Sequence, residues 1–162
     1  MIDLLLRDAI EKAENDEGIK KIKSQGYFLG SIFATAQESI NEWILHFYSS
    51  KKNKIIDCYV GEDVSIGEEE DAINKMTEVC LDKLKIMPEH ALAKAKKRFN
   101  GSTINIMLIL HNKEIKGKRI LVWTINFIAP TMVAKSYDVD AYSGKVVEEK
   151  ETSLITRYSR AS

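Results

Sequence analysis

The chain has 162 residues, 44% hydrophobic and 30% charged, which is enough for one good core or two small ones sharing an interface and too apolar for extensive disorder. Lys plus Arg equals Asp plus Glu at 24 each, so no global charge draws the protein to nucleic acid or to an anionic membrane. Asp3, Arg7, Asp8 and Glu11 interrupt the leucines at the start, so neither a signal peptide nor a membrane span is read. The chain is therefore expected to be cytoplasmic, with Cys58 and Cys80 as small reduced side chains rather than a disulfide or a zinc motif.

Asp3 is positioned to cap a first helix whose apolar positions Leu5, Leu6, Ala9, Ile10 and Ala13 recur at helical spacing, with Gly18 as its stop. Gly26 to Gln37, rich in aromatic and small residues, reads as a strand in which Gly30 admits another group close to the backbone. Glu42 to Ser49 makes the next strand, a Lys-Lys-Asn-Lys turn follows, and Lys54 to Val60 returns antiparallel. From Ser65 the spacing changes: Ser65 with Glu68 has the form of a capping box, and Ile73, Met76, Cys80 and Leu84 mark a helical stripe to about Ile86. Pro88 opens a further helix to Phe99, with Ala91, Leu92 and Ala95 inward and Asn100-Gly101 as the stop. Thr103 to Asn112 and Arg119 to Ile128 are apolar on both faces, which places them mid-sheet, joined by a charged loop from Lys113 to Lys118. A third strand, Ser136 to Ala141, turns at Tyr142-Ser143-Gly144 and leaves as Lys145 to Glu149, ahead of a polar tail.

Trp43 to Glu70 aligns without a gap on Trp123 to Lys150 at an offset of 80. The alignment pairs Trp43 with Trp123, Phe47 with Phe127, Glu68 with Glu148 and Glu69 with Glu149, and an even offset keeps every strand residue on its own face. The first helix echoes the second at an offset of 82, Ala9-Ile10 against Ala91-Leu92. These matches describe two copies of one unit: residues 1–64, then a linking helix over 65–87, then 88–155, with 156–162 as the tail.

The hairpin Tyr137-Asp138-Val139-Asp140-Ala141-Tyr142-Ser143-Gly144-Lys145-Val146-Val147 resembles that of the PepSY domain, which typically reads YxVxVDAxTGKVL. The resemblance covers about Pro88 to Glu151 and reaches residues 1–70 only through the repeat, where Gly61-Glu62-Asp63-Val64 stands in place of the hairpin motif. It implies an α+β fold of two tandem helix-plus-antiparallel-meander modules, PepSY/cystatin-like. It further implies a non-catalytic module that restrains peptidases or binds at the cell envelope.

Chemistry legible in the residues is sparse. His46 and Cys58 approach one another if Ser49 to Lys54 closes a hairpin, which allows a thiol and imidazole pair, against the plainer reading of Cys58 as packing. His90 and His111 read as half-exposed surface residues, and three scattered histidines give no ligand spacing for zinc. Asp138, Asp140 and Glu149 form an imperfect calcium pattern that a hairpin turn explains better. No catalytic, cofactor or metal residue is assigned, and no cofactor is expected. Trp43, Phe47, Trp123 and Phe127 are the candidate partner-binding residues: each pair shares a strand face, which is either core between the modules or a groove for a peptide or apolar ligand. The leading expectation is a binding or regulatory module for a protein or peptide partner. The alternatives are a small-molecule binder or minor enzyme with Asn105, Asn126 and His46 converging in a cone between helix and sheet, and a structural homodimer.

Overall fold

The runs rich in aromatic and β-branched residues become strands of a single sheet, and the Ala-rich and Lys-rich segments become helices laid on one side of it. The structure is a computed structural model that describes residues 2–155; the polar tail expected at 156–162 lies outside the described residues. In chain order the elements are α1 (Leu6–Glu14), α2 (Glu17–Ser24), β1 (Phe28–Ala36), β2 (Trp43–Ser49), β3 (Lys54–Val60) and β4 (Val64–Asp71). After a single 3-10 turn at Leu81–Lys83 come α3 (Pro88–Arg98), β5 (Asn105–Ile115), β6 (Lys118–Ile128), β7 (Val133–Asp140) and β8 (Val146–Ser153). The fold is α+β, and the described residues form three α-helices and an eight-stranded antiparallel sheet in the order β4-β3-β2-β1-β5-β6-β7-β8.

Two consecutive four-stranded meanders meet where β1 pairs with β5. Phe33 stands opposite Ile44 in the first meander and Ile109 opposite Thr124 in the second, and Phe33 and Ile109 are opposite each other across the join. The order of strands is therefore the same read from either edge. Trp43 lies opposite Val60 and Trp123 opposite Val139, so β3 and β7 are related by 79 positions rather than the 80 of the ungapped alignment. Beyond that the offset grows: Ile56 lies opposite Glu69 and Lys135 opposite Glu151, so Glu69 occupies the ladder place of Glu151 and not of Glu149. The tips supply the difference, with three residues between the paired Val60 and Val64 and six between the paired Val139 and Val146, while the bulges in β3/β4 and β7/β8 each add one residue to the outer strand.

Strand alternation then sorts the side chains. One face of the sheet carries Ile32, Leu45, Phe47, Cys58, Leu108, Leu110, Ile125 and Tyr137, all buried with Ala9, Ala13, Ala91 and Ala95 from the helices. Small residues on the helices let them approach closely, α1 against β3 and α3 against β6 and β7. Trp43 and Trp123 meet edge to face at 6.2 Å between centroids where the two halves of the core join. Each indole N–H is satisfied on the helix side, Trp43 donating to the Leu4 carbonyl and Trp123 to the Ile86 carbonyl, both at 2.8 Å. Leu4 and Ile86 are 82 residues apart, the offset that relates the helices.

Five expectations are corrected. The first helix is two: Asp3 does not cap α1 but donates its backbone N–H to Ile40, and Gly18 lies in the first turn of α2, where Asp16 accepts from the Ile19 N–H at 3.0 Å. A side chain at Gly18 would run into Ile66, so the glycine serves packing of α2 on β4 rather than termination. The linking helix over 65–87 is absent: Ser65 to Asp71 belong to β4, and residues 72–80 form an extended strap. An acidic stretch suits an outer strand, whose exposed edge charges protect from unwanted pairing. The charged loop from Lys113 to Lys118 shrinks to a two-residue turn, with Lys116 and Gly117 at φ of 52° and 79°, because both strands extend into it. The last hairpin forms as read: Asp140 Oδ1 accepts from the Tyr142 and Ser143 N–H groups at 2.8 and 3.0 Å, and Gly144 takes φ of 79°.

Candidate functional site

Among the described residues no helix lies on the other face of the sheet, and its side chains follow from the same register. Its middle is apolar and half-buried, with Phe33, Ile44, Tyr59, Met107 and Ile109. Across it runs a polar row on adjacent strands: Asp57 opposite His46, His46 opposite Ser31, and Ser31 opposite His111. His46 Nδ1 and Asp57 Oδ1 are 2.5 Å apart. His111 Nε2 lies 2.8 Å from Thr124 Oγ1, which donates to Asp138 Oδ1 at 2.5 Å, while Lys113 Nζ holds Asp138 Oδ2 at 2.6 Å. Asp138 is only 3% exposed, so this carboxylate is buried with two partners, as a buried charge requires. Burial depresses the His111 pKa, the nearby Asp138 charge opposes that, and Lys113 adds to it.

The strap closes one end of this face. Met76 crosses Gly30, where a Cβ would come within 2.5 Å of its sulfur, so the close approach expected at Gly30 is made by the strap. Asn112 Nδ2 donates to Thr77 Oγ1 at 3.0 Å and to the Glu78 carbonyl at 2.9 Å, and the Val79 N–H donates to Leu29. Beneath the strap lies a cleft of about 310 Å³, whose lining includes Ser31, Lys75, Thr77, His111 and Arg119.

The candidate partner-binding residues are elsewhere. Trp43, Phe47, Trp123 and Phe127 are all fully buried between the sheet and the helices, Phe127 stacked on Phe99 at 4.5 Å, and none lines an open groove. Parity also separates His46 from Cys58: the hairpin register sets His46 against Asp57 and Leu45 against Cys58, so thiol and imidazole project from opposite faces. Burial, with Asp16 and Asp57 adding to it, pushes the Cys58 thiol up to about 12, so it is protonated and inert at neutral pH. Asn105, Asn126 and His46 do not converge: Asn105 accepts from Thr35, Asn126 from Ser136, and His46 faces Asp57, all on the helix-free side. Of the calcium pattern, Asp138 is committed to Lys113 and Asp140 to its turn. His90 is exposed on α3.

The row Asp57, His46, Ser31 has the residue order of a hydrolytic triad but not its geometry. No hydrogen bond joins His46 to Ser31 among the described residues, and Ser31 sits inside a strand paired on both sides, whose backbone serves the two ladders. What the row offers is recognition: donors and acceptors of fixed position on a stiff sheet. Sequence reasoning missed Ser31 and the Asp138 cluster, and passed over His111, because their signal is a shared row that appears only when the register is known.

Comparison with known proteins agrees with this architecture. The profile of the PepSY family, the peptidase propeptide and YPEB domain, matches residues 85–150. No curated protein matches the chain. A crystal structure of a "putative lipoprotein" from Clostridium difficile 630 is similar at a TM-score of 0.59 and 15% identity, over 92% of this chain and 93% of that one, a likeness of fold. Among the described residues no helix is long and apolar enough to cross a membrane. Residues 85–150, from just before α3 through most of β8, are thus the part of the chain that is similar to the PepSY family.

Proposed function

We propose that the chain is a non-catalytic binding module built from two tandem PepSY-like halves on one sheet, and that it engages a protein or peptide partner across the helix-free face, restraining a peptidase. The first half would run through Asp71, past the boundary at residue 64, and the second from Pro88. The observation that carries the reading is the helix-free face itself. Its apolar middle straddles the join between the halves, is flanked by fixed polar groups, and is left half-exposed, whereas every large aromatic of the opposite face is sealed. The outer strands β4 and β8 each leave an edge where an extended segment could add. A peptidase as partner is the suggestion of the family match. The free thiols at Cys58 and Cys80 fit a cytoplasmic protein, while the neighbour named as a lipoprotein points outside the cytoplasm; cell fractionation decides between the two.

The test is capture from lysate of the source organism, using wild type, Ile44→Glu with Ile109→Glu on the helix-free face, and Lys94→Glu on α3, each checked for a native tryptophan spectrum. A protein held by wild type and Lys94→Glu but lost from the double variant supports the reading, and peptidase activity that wild type suppresses names it. Retention by the double variant, or equal loss from Lys94→Glu, contradicts it.

A further inference from the structure

The cleft under the strap holds a hydroxyl with nothing to bond. Ser31 is 8% exposed, its Oγ has no hydrogen-bond partner among the described residues, and it lines the cleft. The oxygen opens on the cleft and is not sealed from water, so it is available to bond a ligand at the ordinary value of a hydrogen bond. Its cross-strand neighbour His111 lines the same cleft. Asp138 is held by Lys113 as a carboxylate and can only accept, so the Thr124 hydroxyl spends its proton there and must accept from His111. The proton of the neutral ring is therefore on Nε2, and Nδ1 is left as an acceptor. Burial keeps the ring in that neutral form.

Two cationic residues line the same cleft, Lys75 on the strap and Arg119 at the start of β6. Glu114 also lines the cleft and lies 3.7 Å from Arg119, an exposed pairing that competes weakly with a bidentate ligand. A volume of about 310 Å³ is at the lower end for ligand pockets and accommodates one or two residues, not a longer segment. The roof does not have to be built on binding, because Asn112 already pins the strap.

We propose that this cleft captures the free C-terminal carboxylate of an extended peptide, with Lys75 and Arg119 on the carboxylate and Ser31 and His111 Nδ1 on the last peptide unit. A peptide N–H supplies the donor that Nδ1 needs and a peptide carbonyl takes the Ser31 hydroxyl, while the chain leaves along the helix-free face. This rests on the reading of that face as a surface for a protein or peptide, and it supplies the chemistry by which the partner's end is recognised.

The experiment is titration of the full-length 15N-labelled protein with tetra-alanine as the free acid, with tetra-alanine amide, and with acetate. The free acid is expected to shift the Ser31, His111 and Asn112 amides saturably, with the amide and acetate each at least about tenfold weaker. Lys75→Gln with Arg119→Gln, both at exposed positions, should weaken the free acid by about tenfold and remove its advantage over the amide. No saturable shift with the free acid, equal binding of acid and amide, or acetate binding as tightly as the tetrapeptide would overturn the proposal. The capture with Ile44→Glu and Ile109→Glu reads the broader surface separately, so a failed titration beside a successful capture removes only this site.

Discussion

The two halves of the sheet are built alike on the helix side and differently on the other. On the helix side each has a tryptophan in its second strand, sealed by the helices and tied by its N–H to the segment entering a helix. On the helix-free side the first half has a partly exposed pair, His46 with Asp57, whereas the second has a chain of His111, Thr124, Asp138 and Lys113 centred on a buried carboxylate. The difference teaches where constraint lies: a core position tolerates few solutions because it must be filled without voids, while a half-open face is free to diverge toward whatever it binds.

The largest effect should come from the shared feature. Trp123→Ala removes a fully buried side chain and should cost about 3–5 kcal/mol, and Trp43→Ala should cost a similar amount, read from urea unfolding. A cost near zero for one of them would break the equivalence of the halves. Next come the polar clusters, which should separate the halves. Asp138→Asn weakens the hold on Lys113 at a buried site and should cost about 1.5–3 kcal/mol, against less than about 1 kcal/mol for Asp57→Asn, whose pair is closer to solvent. Equal costs would show that burial does not distinguish them.

The hairpin tips give a smaller contrast. Gly144 has φ of 79° and a Cβ there would come 3.1 Å from Ile86 Cδ1, so Gly144→Val should lower stability by about 1–2 kcal/mol. Gly61→Ala, at the corresponding tip between β3 and β4, needs no positive φ and meets its nearest atom at 3.4 Å, so it should stay within about 0.5 kcal/mol. The least effect is a pH dependence. The His111 pKa is depressed in the folded state, so the unfolded chain binds the proton first and stability is lost as pH falls through the ordinary histidine range. His111→Asn should flatten the difference in urea midpoint between about pH 8 and about pH 5.5; an unchanged difference would assign it to other groups.

Much of this fold was legible because strands announce themselves by alternation and helices by spacing. β1, β2, β3 and β7 lie within a few residues of their expected places, and the turn chemistry of Asp140 and Gly144 could be read directly. The segment from Ser65 to Ile86 could not, because Ile73, Met76, Cys80 and Leu84 have helical spacing by coincidence. In the structure Ile73 is 96% exposed, Met76 covers Gly30 and Leu84 is buried, three different environments that no single helix face supplies. The helix-free face was the least legible part. Ser31, His46, Asp57 and His111 come from four strands, and only the ladder register puts them in one row. The same arithmetic applied to the Ser49–Lys54 hairpin sets His46 against Asp57 and rules out Cys58.

The helix-free face is continuous across the join only because the two halves share one sheet and one core. The direct measurement is equilibrium urea unfolding of the full chain followed by tryptophan fluorescence and, residue by residue, by amide hydrogen exchange. One cooperative transition is predicted, with the amides of β2 and β6 protected to the same global free energy, and Trp43→Ala lowering both together. Two separable transitions, with β6 unaffected by Trp43→Ala, would contradict it and leave two independent modules in place of one continuous face.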